Sequence, residues 1–441
     1  MNSANSFTFC RLIANAILAL QKLQDALSPQ NTTLSKISFH DGQIHDPLGA
    51  GSYMFQNAFI PSIIRSIGLP IHPNQCGALP QSLIIHIGAQ PNNSPHVGTL
   101  VVFFMAFILA REIKLYHLSC HDGSEEVVDW MRKFRVKVRL NLVDTAPDPS
   151  HDLQYEGIAG KFQRSLRSTE GVLRFQADYD EALKLASQGV EDSLNFEIMT
   201  QEDLTRMKCM PGIIERIVKN RHQLGPLLAP DKEVLAMRAA CPQCDVADKH
   251  GIHNTYTIHP TFVIISFLCP VHGRHEISTL NVDEVARLEF NTPLRNLVRS
   301  IALALHTAES RQEGKEGALH IRVTGMDYAG YYTDQMFWRA WLMLGLDENL
   351  IPPVVLYAPL IVDWAGSKIS KSLYVKHGAY EYLNERGMDY LLSFAEMKKR
   401  KDPLILFRLV ESWVKEPKKL FRTFSIEYLH MKFSEEEDAP L

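Results

Sequence analysis

Cys241-Pro242-Gln243-Cys244 is followed, after 24 residues, by Cys269-Pro270-Val271-His272. Two ligands on each of two tight turns can close one tetrahedral thiolate–imidazole site, which predicts a structural zinc ion held by Cys241, Cys244, Cys269 and His272. Four protein donors leave no open position for water, so the ion would staple a small strand-rich knuckle rather than catalyse. His259 and His275 are alternative fourth ligands. A second group runs from Gly88 to Thr99, with His96-Val97-Gly98-Thr99 at its end. It stands where an apolar strand hands over to a helix N-terminus, a place where backbone N–H groups and the helix dipole hold phosphate. His96 can donate to a phosphate oxygen, and Gly98 leaves room for a nucleotide ring; a plain cap or turn is the alternative. The third group is Gly366-Ser367-Lys368-Ile369-Ser370-Lys371-Ser372, whose lysines and hydroxyls suit a clamp on a pyrophosphate. The fourth, His121-Asp122-Gly123-Ser124-Glu125, puts two carboxylates at the start of a helix, where they can cap it, hold a cation or move a proton.

The elements that must position these residues read as an α/β chain. Leu83–Ile87 is a short apolar strand, and Gly98–Ile113 is a helix apolar nearly all round. Strands at Leu115–Ser119 and Val136–Leu142, with a helix over Glu125–Phe134 between them, predict a doubly wound parallel sheet. The rhythm returns with strand His320–Thr324, helix Tyr332–Leu344 and strand Val354–Leu360. The expected plan is a leader over 1–81, a first half of a Rossmann-like core over 82–150, a mostly helical insertion over 151–235 and a zinc knuckle over 236–285. The second half of the core, with the lysine loop, covers 286–377, and a basic helical segment covers 378–441.

With 46 Lys+Arg against 50 Asp+Glu and 46% hydrophobic residues, the 441-residue chain is neither disordered nor a generally basic coat for nucleic acid. The longest apolar run, Leu100–Ala110, falls far short of the roughly 20 residues that span a bilayer. Ile13–Leu20 continues its helical period through Leu23 and Leu27 and reads as a surface helix, not a signal peptide. A soluble, cytoplasmic protein is expected, with its 7 cysteines in a reducing compartment. Residues 398–422 hold nine Lys/Arg against Asp402, Glu411 and Glu416. That density, led by Lys398, Lys399, Arg400 and Lys401, can grip an acceptor stem by its phosphates or simply face water.

The strand–PxxxxHVGT–helix element and the Lys-Ile-Ser-Lys-Ser loop together resemble the HIGH and KMSKS signatures of class I aminoacyl-tRNA synthetases. Their order, their separation by an insertion, and Gly325-Met326-Asp327 after the third-quarter strand resemble that superfamily over residues 80–380. The resemblance implies that His96 and Gly98 contact the adenosine and phosphates of ATP and that Lys368, Ser370 and Lys371 sit on the phosphates. Gly88 would lie against the substrate, and Asp327 would face a ribose or an ammonium group. Thr99 stands where the family often has a second His.

Two activities follow from that resemblance. One is a class I synthetase, which activates an amino acid with ATP and charges tRNA; only 69 residues follow Ser372, short for the anticodon-binding domain usual in that family. The other is a cyclodipeptide synthase, in which two aminoacyl-tRNA esters yield a diketopiperazine without ATP. In size and plan the chain is similar to the fungal arginine-containing group of those enzymes. Their DDxxE motif is matched by His121-Asp122-Gly123-Ser124-Glu125 with His121 in the first place. This reading, the one expected here, makes arginyl-tRNA a substrate and assigns Asp122 and Glu125 to the guanidinium or to the proton of the attacking amine, beside His96. The serine nucleophile of bacterial members has no counterpart, since the turn reads Gly88-Ala89-Gln90; Ser94 is the nearest hydroxyl.

Overall fold

Strand β1 (Ser82–Ala89) is buried from Leu83 through Ile87, as a strand must be when neighbours flank it and helices cover both faces. It pairs in parallel with β2 (Arg135–Leu142) on one side. The computed structural model describes residues 59–69, 82–119, 134–144, 147–165, 171–191, 194–312, 317–346, 350, 352–369 and 380–437. Asp122, Glu125, Ser370 and Lys371 lie outside these residues, as do nearly all of the expected leader and of the helix expected over Glu125–Phe134. The parallel sheet is completed by β3 (Asn195–Thr200) beyond β2, and by β4 (Ala318–Gly325) and β5 (Val354–Ala358) on the other side of β1. The order is β5-β4-β1-β2-β3. Connections therefore reverse direction between β1 and β4, the crevice at whose carboxyl edge ligands of such sheets bind.

The two faces of this sheet differ. Leu83, Ile85, Ile87, Leu319, Ile321 and Val323 join one apolar core with helix α1 (Phe59–Ile67), helix α2 (Val97–Ser119) and helix α3 (Gly171–Gly189). On the opposite side helix α4 (Thr292–Gln312) lies against β4, and its Leu294, Leu297, Val298 and Ile301 belong to a second core with Val355 and Tyr357. Helix α5 (Leu404–Lys415) covers the outer side of α2: Phe407 meets Phe104 edge-on at 5.4 Å, and Arg111 bonds Glu411 at 2.5 Å. Being enclosed by sheet and helices explains why α2 is apolar nearly all round as far as Ala110.

One expectation is corrected and two are refined. Leu115–Ser119 is not a strand but the last turns of α2, because no Gly or Pro interrupts the helix after Gly98 and His117 is still buried on its inner face. In the expected insertion over 151–235 helices cover more of the described residues than strands do, but strands are present as well. The strand Pro147–Tyr155 turns at Gly157 (φ +74°) into the strand Ile158–Ser165, and β3 adds an edge strand to the core. The helix expected over Tyr332–Leu344 is present as a π-helix over Tyr331–Ala340 that runs into an α-helical turn at Trp341–Met343, preceded by a 3-10 turn at Met326–Tyr328. The C-terminal segment is helical as expected, with helices at Glu381–Glu385, Phe394–Arg400, α5 and Ile426–Glu437.

Candidate functional site

At the carboxyl end of β1 the chain passes through Pro91–Pro95 into α2. Carbonyl His96 accepts from the N–H of Thr99 (2.8 Å) and Leu100 (3.1 Å), and the ring Nδ1 of His96 accepts from Gly98 N at 3.0 Å. With Nδ1 accepting, the proton of the neutral ring sits on Nε2. Gly98 is what lets the imidazole lie there, since a Cβ would stand 2.9 Å from Cε1 of His96. The loop is braced from the C-terminal segment: Phe394 N donates to Pro95 O (2.7 Å) and Ala395 N to Ser94 Oγ (3.2 Å). Ser94 is 3% exposed, which makes it a brace and not an accessible nucleophile.

Across the β1/β4 crevice, Asp327 rises from the 3-10 turn after β4. Its carboxylate folds back over Gly325, where a Cβ would collide with Oδ1 at 2.4 Å. Lys368 donates to Asp327 Oδ2 and lies 5.7 Å from the centre of the Tyr328 ring. The first part of the lysine loop is fixed. Asp363 Oδ1 accepts from Ala365 N and Ser367 N, both at 2.9 Å, Gly366 takes φ +77°, and Ile369 is buried in the main core. The strand feeding this loop, Ile361–Val362, pairs with Phe424–Ser425 and brings Ile361 to 3.9 Å from where a Gly98 Cβ would sit. The structure thus joins His96 to Gly98 and Asp327 to Lys368 on the two sides of one crevice.

Between them lies a polar layer. Gly88 leaves room for the guanidinium of Arg322, since a Cβ would meet its Nη2 at 2.6 Å. His86, paired with Arg322 in the β1/β4 register, starts a chain of imidazoles: Asn141 Nδ2 lies 3.1 Å from His86 Nδ1, His86 Nε2 is 2.9 Å from His320 Nδ1, and His320 Nε2 is 3.1 Å from His306 Nδ1. Because the amide can only donate, each ring is assigned as the Nε2–H tautomer, passing its proton to the next. Burial holds His86 and His320 well below the usual histidine range, reinforced by the rings and by Arg139 nearby. Arg295 and Arg299, one turn apart on α4, complete the layer. Burial lowers Arg295 to about 10 and pushes Arg299 well down, with Arg322 adding to the effect on Arg299.

Away from this crevice, Cys241, Cys244, Cys269 and His272 bring their ligand atoms within 4.8 Å of one another, a group that could hold a metal ion. Cys244 Sγ is 3.5 Å from Cys269 Sγ, and His272 Nδ1 is 3.6 Å from both Cys241 and Cys269 Sγ. Ligand bonds of about 2.3 Å to sulfur and 2.0–2.1 Å to nitrogen give tetrahedral edges of about these lengths, so the donor set fits zinc. Strands Val263–Cys269 and Gly273–Ser278 form the hairpin that carries one pair, with Cys269 opposite Gly273. His259 stacks on Phe262 and His275 on Phe267, and neither joins the cluster.

The basic run is largely paired with acids, one from helix α3 and the others from its own C-terminal segment. Lys398 pairs with Glu181, Lys399 with Glu396 at 2.6 Å, and Arg400 with Asp389 at 2.8 Å, while Lys401 lies over the Tyr390 ring at 5.9 Å. Among the described residues no helix is long and apolar enough to cross a membrane.

No family model and no curated protein matches the chain. Among solved structures it is similar to class I aminoacyl-tRNA synthetases. A provisionally assigned arginyl-tRNA synthetase from Campylobacter jejuni aligns at 10% identity over 89% of this chain and 92% of that one, with a TM-score of 0.29. Arginyl-tRNA synthetase from Plasmodium falciparum aligns at 8% identity over 81% and 56%, with a TM-score of 0.28. Glutamate-tRNA synthetase from Elizabethkingia anophelis gives 12% identity and a TM-score of 0.27, over 67% of this chain and 54% of that one, so the chain spans about half of that protein. At these identities and scores the likeness carries no argument about activity.

The histidine chain and the arginine group escaped the sequence reading. A signal was present: His86, His320 and Arg322 interrupt strands that are otherwise largely apolar, and an ionisable residue inside a central parallel strand departs from the fold's own rule.

Proposed function

We propose that the chain is an enzyme that handles aminoacyl groups on a class I synthetase-type core, activating an amino acid with ATP and passing it to tRNA. The observation that carries this reading is the crevice at the β1/β4 switch point, with His96 and Gly98 on a helix N-terminus at one side and Asp327 with Lys368 at the other. The dipole of α2 and the imidazole Nε2–H suit a polyphosphate. Lys368, released from Asp327, supplies a cation where charge grows on the leaving pyrophosphate, and Lys371 is assigned the same work. Asp327 then faces the ammonium or ribose hydroxyls. Lys398, Lys399, Arg400 and Lys401 are the residues assigned to the tRNA backbone, whose phosphates must displace their acidic partners. Zinc at the four-ligand knuckle has a structural role in this reading.

One observation favours a second reading, the joining of two aminoacyl esters into a diketopiperazine. Lys368 is already paired with Asp327, an arrangement that suits a site without triphosphate. Asp122 and Glu125 are the carboxylates assigned to that chemistry, with arginyl-tRNA as a substrate. The test is one pair of assays on the purified full chain: amino-acid-dependent exchange of pyrophosphate into ATP, and cyclic dipeptide formation from a pool of charged tRNA without ATP. Exchange supports the first reading; product without ATP replaces it with the second, and Asp122→Asn should then abolish product. Neither signal refutes both.

A further inference from the structure

Arg238, fully buried beside the knuckle, shows how this molecule treats a structural arginine. Its Nε faces Glu289 at 3.3 Å, and its other nitrogens donate to the carbonyls of Lys249 (3.1 Å) and Phe290 (3.2 Å). Arg295, Arg299 and Arg322 are treated otherwise. They are 8%, 4% and 8% exposed, and among the described residues no carboxylate pairs with any of them. Arg299 donates to the neutral side chains of Asn296 (3.4 Å) and Gln201 (3.1 Å), and Arg295 to Thr292 Oγ1 (3.1 Å). The Nε of all three, and Nη1 of Arg322, are buried without a hydrogen-bond partner. So are Nε2 of Gln201, the residue whose Oε1 accepts from Arg299, and the hydroxyl of Tyr331, which lies within electrostatic reach of Arg295.

Every unmet group here is able to donate, and the guanidiniums and the amide Nε2 can do nothing else; what the layer lacks is acceptors and negative charge. Guanidinium stays charged in a protein, and burying an uncompensated charge costs several kcal/mol unless a counter-ion arrives. A water molecule would accept hydrogen bonds but leave three positive charges facing one another. A carboxylate or a phosphate oxygen group meets both needs, and guanidinium geometry matches either in a fork.

We propose that Arg295, Arg299 and Arg322 form a buried oxyanion site under the carboxyl edge of β1 and β4, filled by a carboxylate or phosphate group of the substrate. Gly88 is the residue that lets the Arg322 fork reach it. The proposal deepens the reading of this crevice as the substrate site and rests on it for the word substrate, but the anion site stands or falls by binding alone. It also turns the specificity away from arginine in this layer, because a guanidinium would meet three of its own kind.

The test is thermal unfolding and calorimetric titration of the full-length, metal-loaded chain with L-glutamate, L-aspartate, inorganic phosphate, pyrophosphate and L-arginine. An oxyanion is expected to bind and raise the unfolding temperature, and arginine is expected to do neither. Glutamate or aspartate as the tight ligand identifies an acidic side chain as the source; phosphate or pyrophosphate identifies the nucleotide or the tRNA end. Arg322→Met is expected to weaken that ligand tenfold or more while raising the unfolding temperature of the ligand-free chain, which a merely structural arginine would not do. Gly88→Ala keeps all three charges but crowds the Arg322 fork, and should weaken the same ligand. The proposal is overturned if no oxyanion binds, or if binding survives both Arg322→Met and Arg299→Gln in folded protein. Activity in the exchange or dipeptide assay without oxyanion binding would sink this site and leave the enzymatic reading intact; binding without activity would do the reverse.

Discussion

Lowering the pH should destabilise this protein before its carboxylates titrate, through two histidines. His86 is fully buried and His320 is 6% exposed, and burial holds both well below the usual value near 6.5. In the fold each ring stays neutral, because a second proton would break the Nε2–H to Nδ1 chain; unfolded, each takes up a proton. A base whose folded value is depressed contributes stability that is complete above the unfolded value and lost as pH falls below it. Each such group gives a slope of about 1.4 kcal/mol per pH unit, so two give about 2.7. Between pH 7.5 and 5.0 the loss is then about 4 kcal/mol, a large part of a typical domain's stability. His306 and His250, partly buried and also lowered, steepen the curve. The assay is urea unfolding at a series of pH values across that window, with the native chain and His320→Gln side by side. The variant should lose about half of the two-histidine slope. A native slope below about 1.4 kcal/mol per pH unit, or an unchanged slope in His320→Gln, would refute the neutral chain.

Phe104→Ala should cost about 3–5 kcal/mol in unfolding free energy, because Phe104 is fully buried and wedged against Phe407 between sheet and α5. Cys241→Ser should release the metal and destabilise the knuckle; elemental analysis is expected to find one zinc per native chain and little in the variant, and full retention would remove Cys241 from the ligand set. Asp327→Asn should leave the fold intact by circular dichroism but lower turnover in whichever assay the native chain passes by tenfold or more, since it removes the proposed substrate contact together with the anchor of Lys368. An unchanged rate would take the pair out of the chemistry.

What could be read from the sequence was what short-range pattern encodes. Leu83–Ile87 announces a buried strand, Cys-x-x-Cys and Cys-x-x-His announce a four-donor cluster, and His96-Val97-Gly98 announces a helix start. Strand β3 was missed because Asn195–Thr200 is a half-exposed edge with little apolar contrast. Leu115–Ser119 misled because a short apolar run fits a helix end as well as a strand. The partners of Lys398 and Arg400 come from Glu181 and Asp389, so counting charges along 398–422 overstated the field of that segment. The polar layer needed His86 and His320 side by side, and those residues stand 234 positions apart.

The placement of β1 has a consequence for how the chain is made. It is the middle strand of the sheet, yet its neighbour β4 begins about 230 residues further on. At ribosomal rates of about 5–20 residues per second, β1 waits roughly 10–50 s for that edge to be covered. The apolar helix α2 waits longer still, because α5, which encloses its outer side, begins about 300 residues after it. During that interval the nascent chain presents an unpaired strand and a greasy helix together, the combination that aggregates. Synthesis in the cell should therefore depend on a chaperone that holds residues 82–119 until α5 emerges, and variants that lack α5 should precipitate rather than yield a smaller folded core.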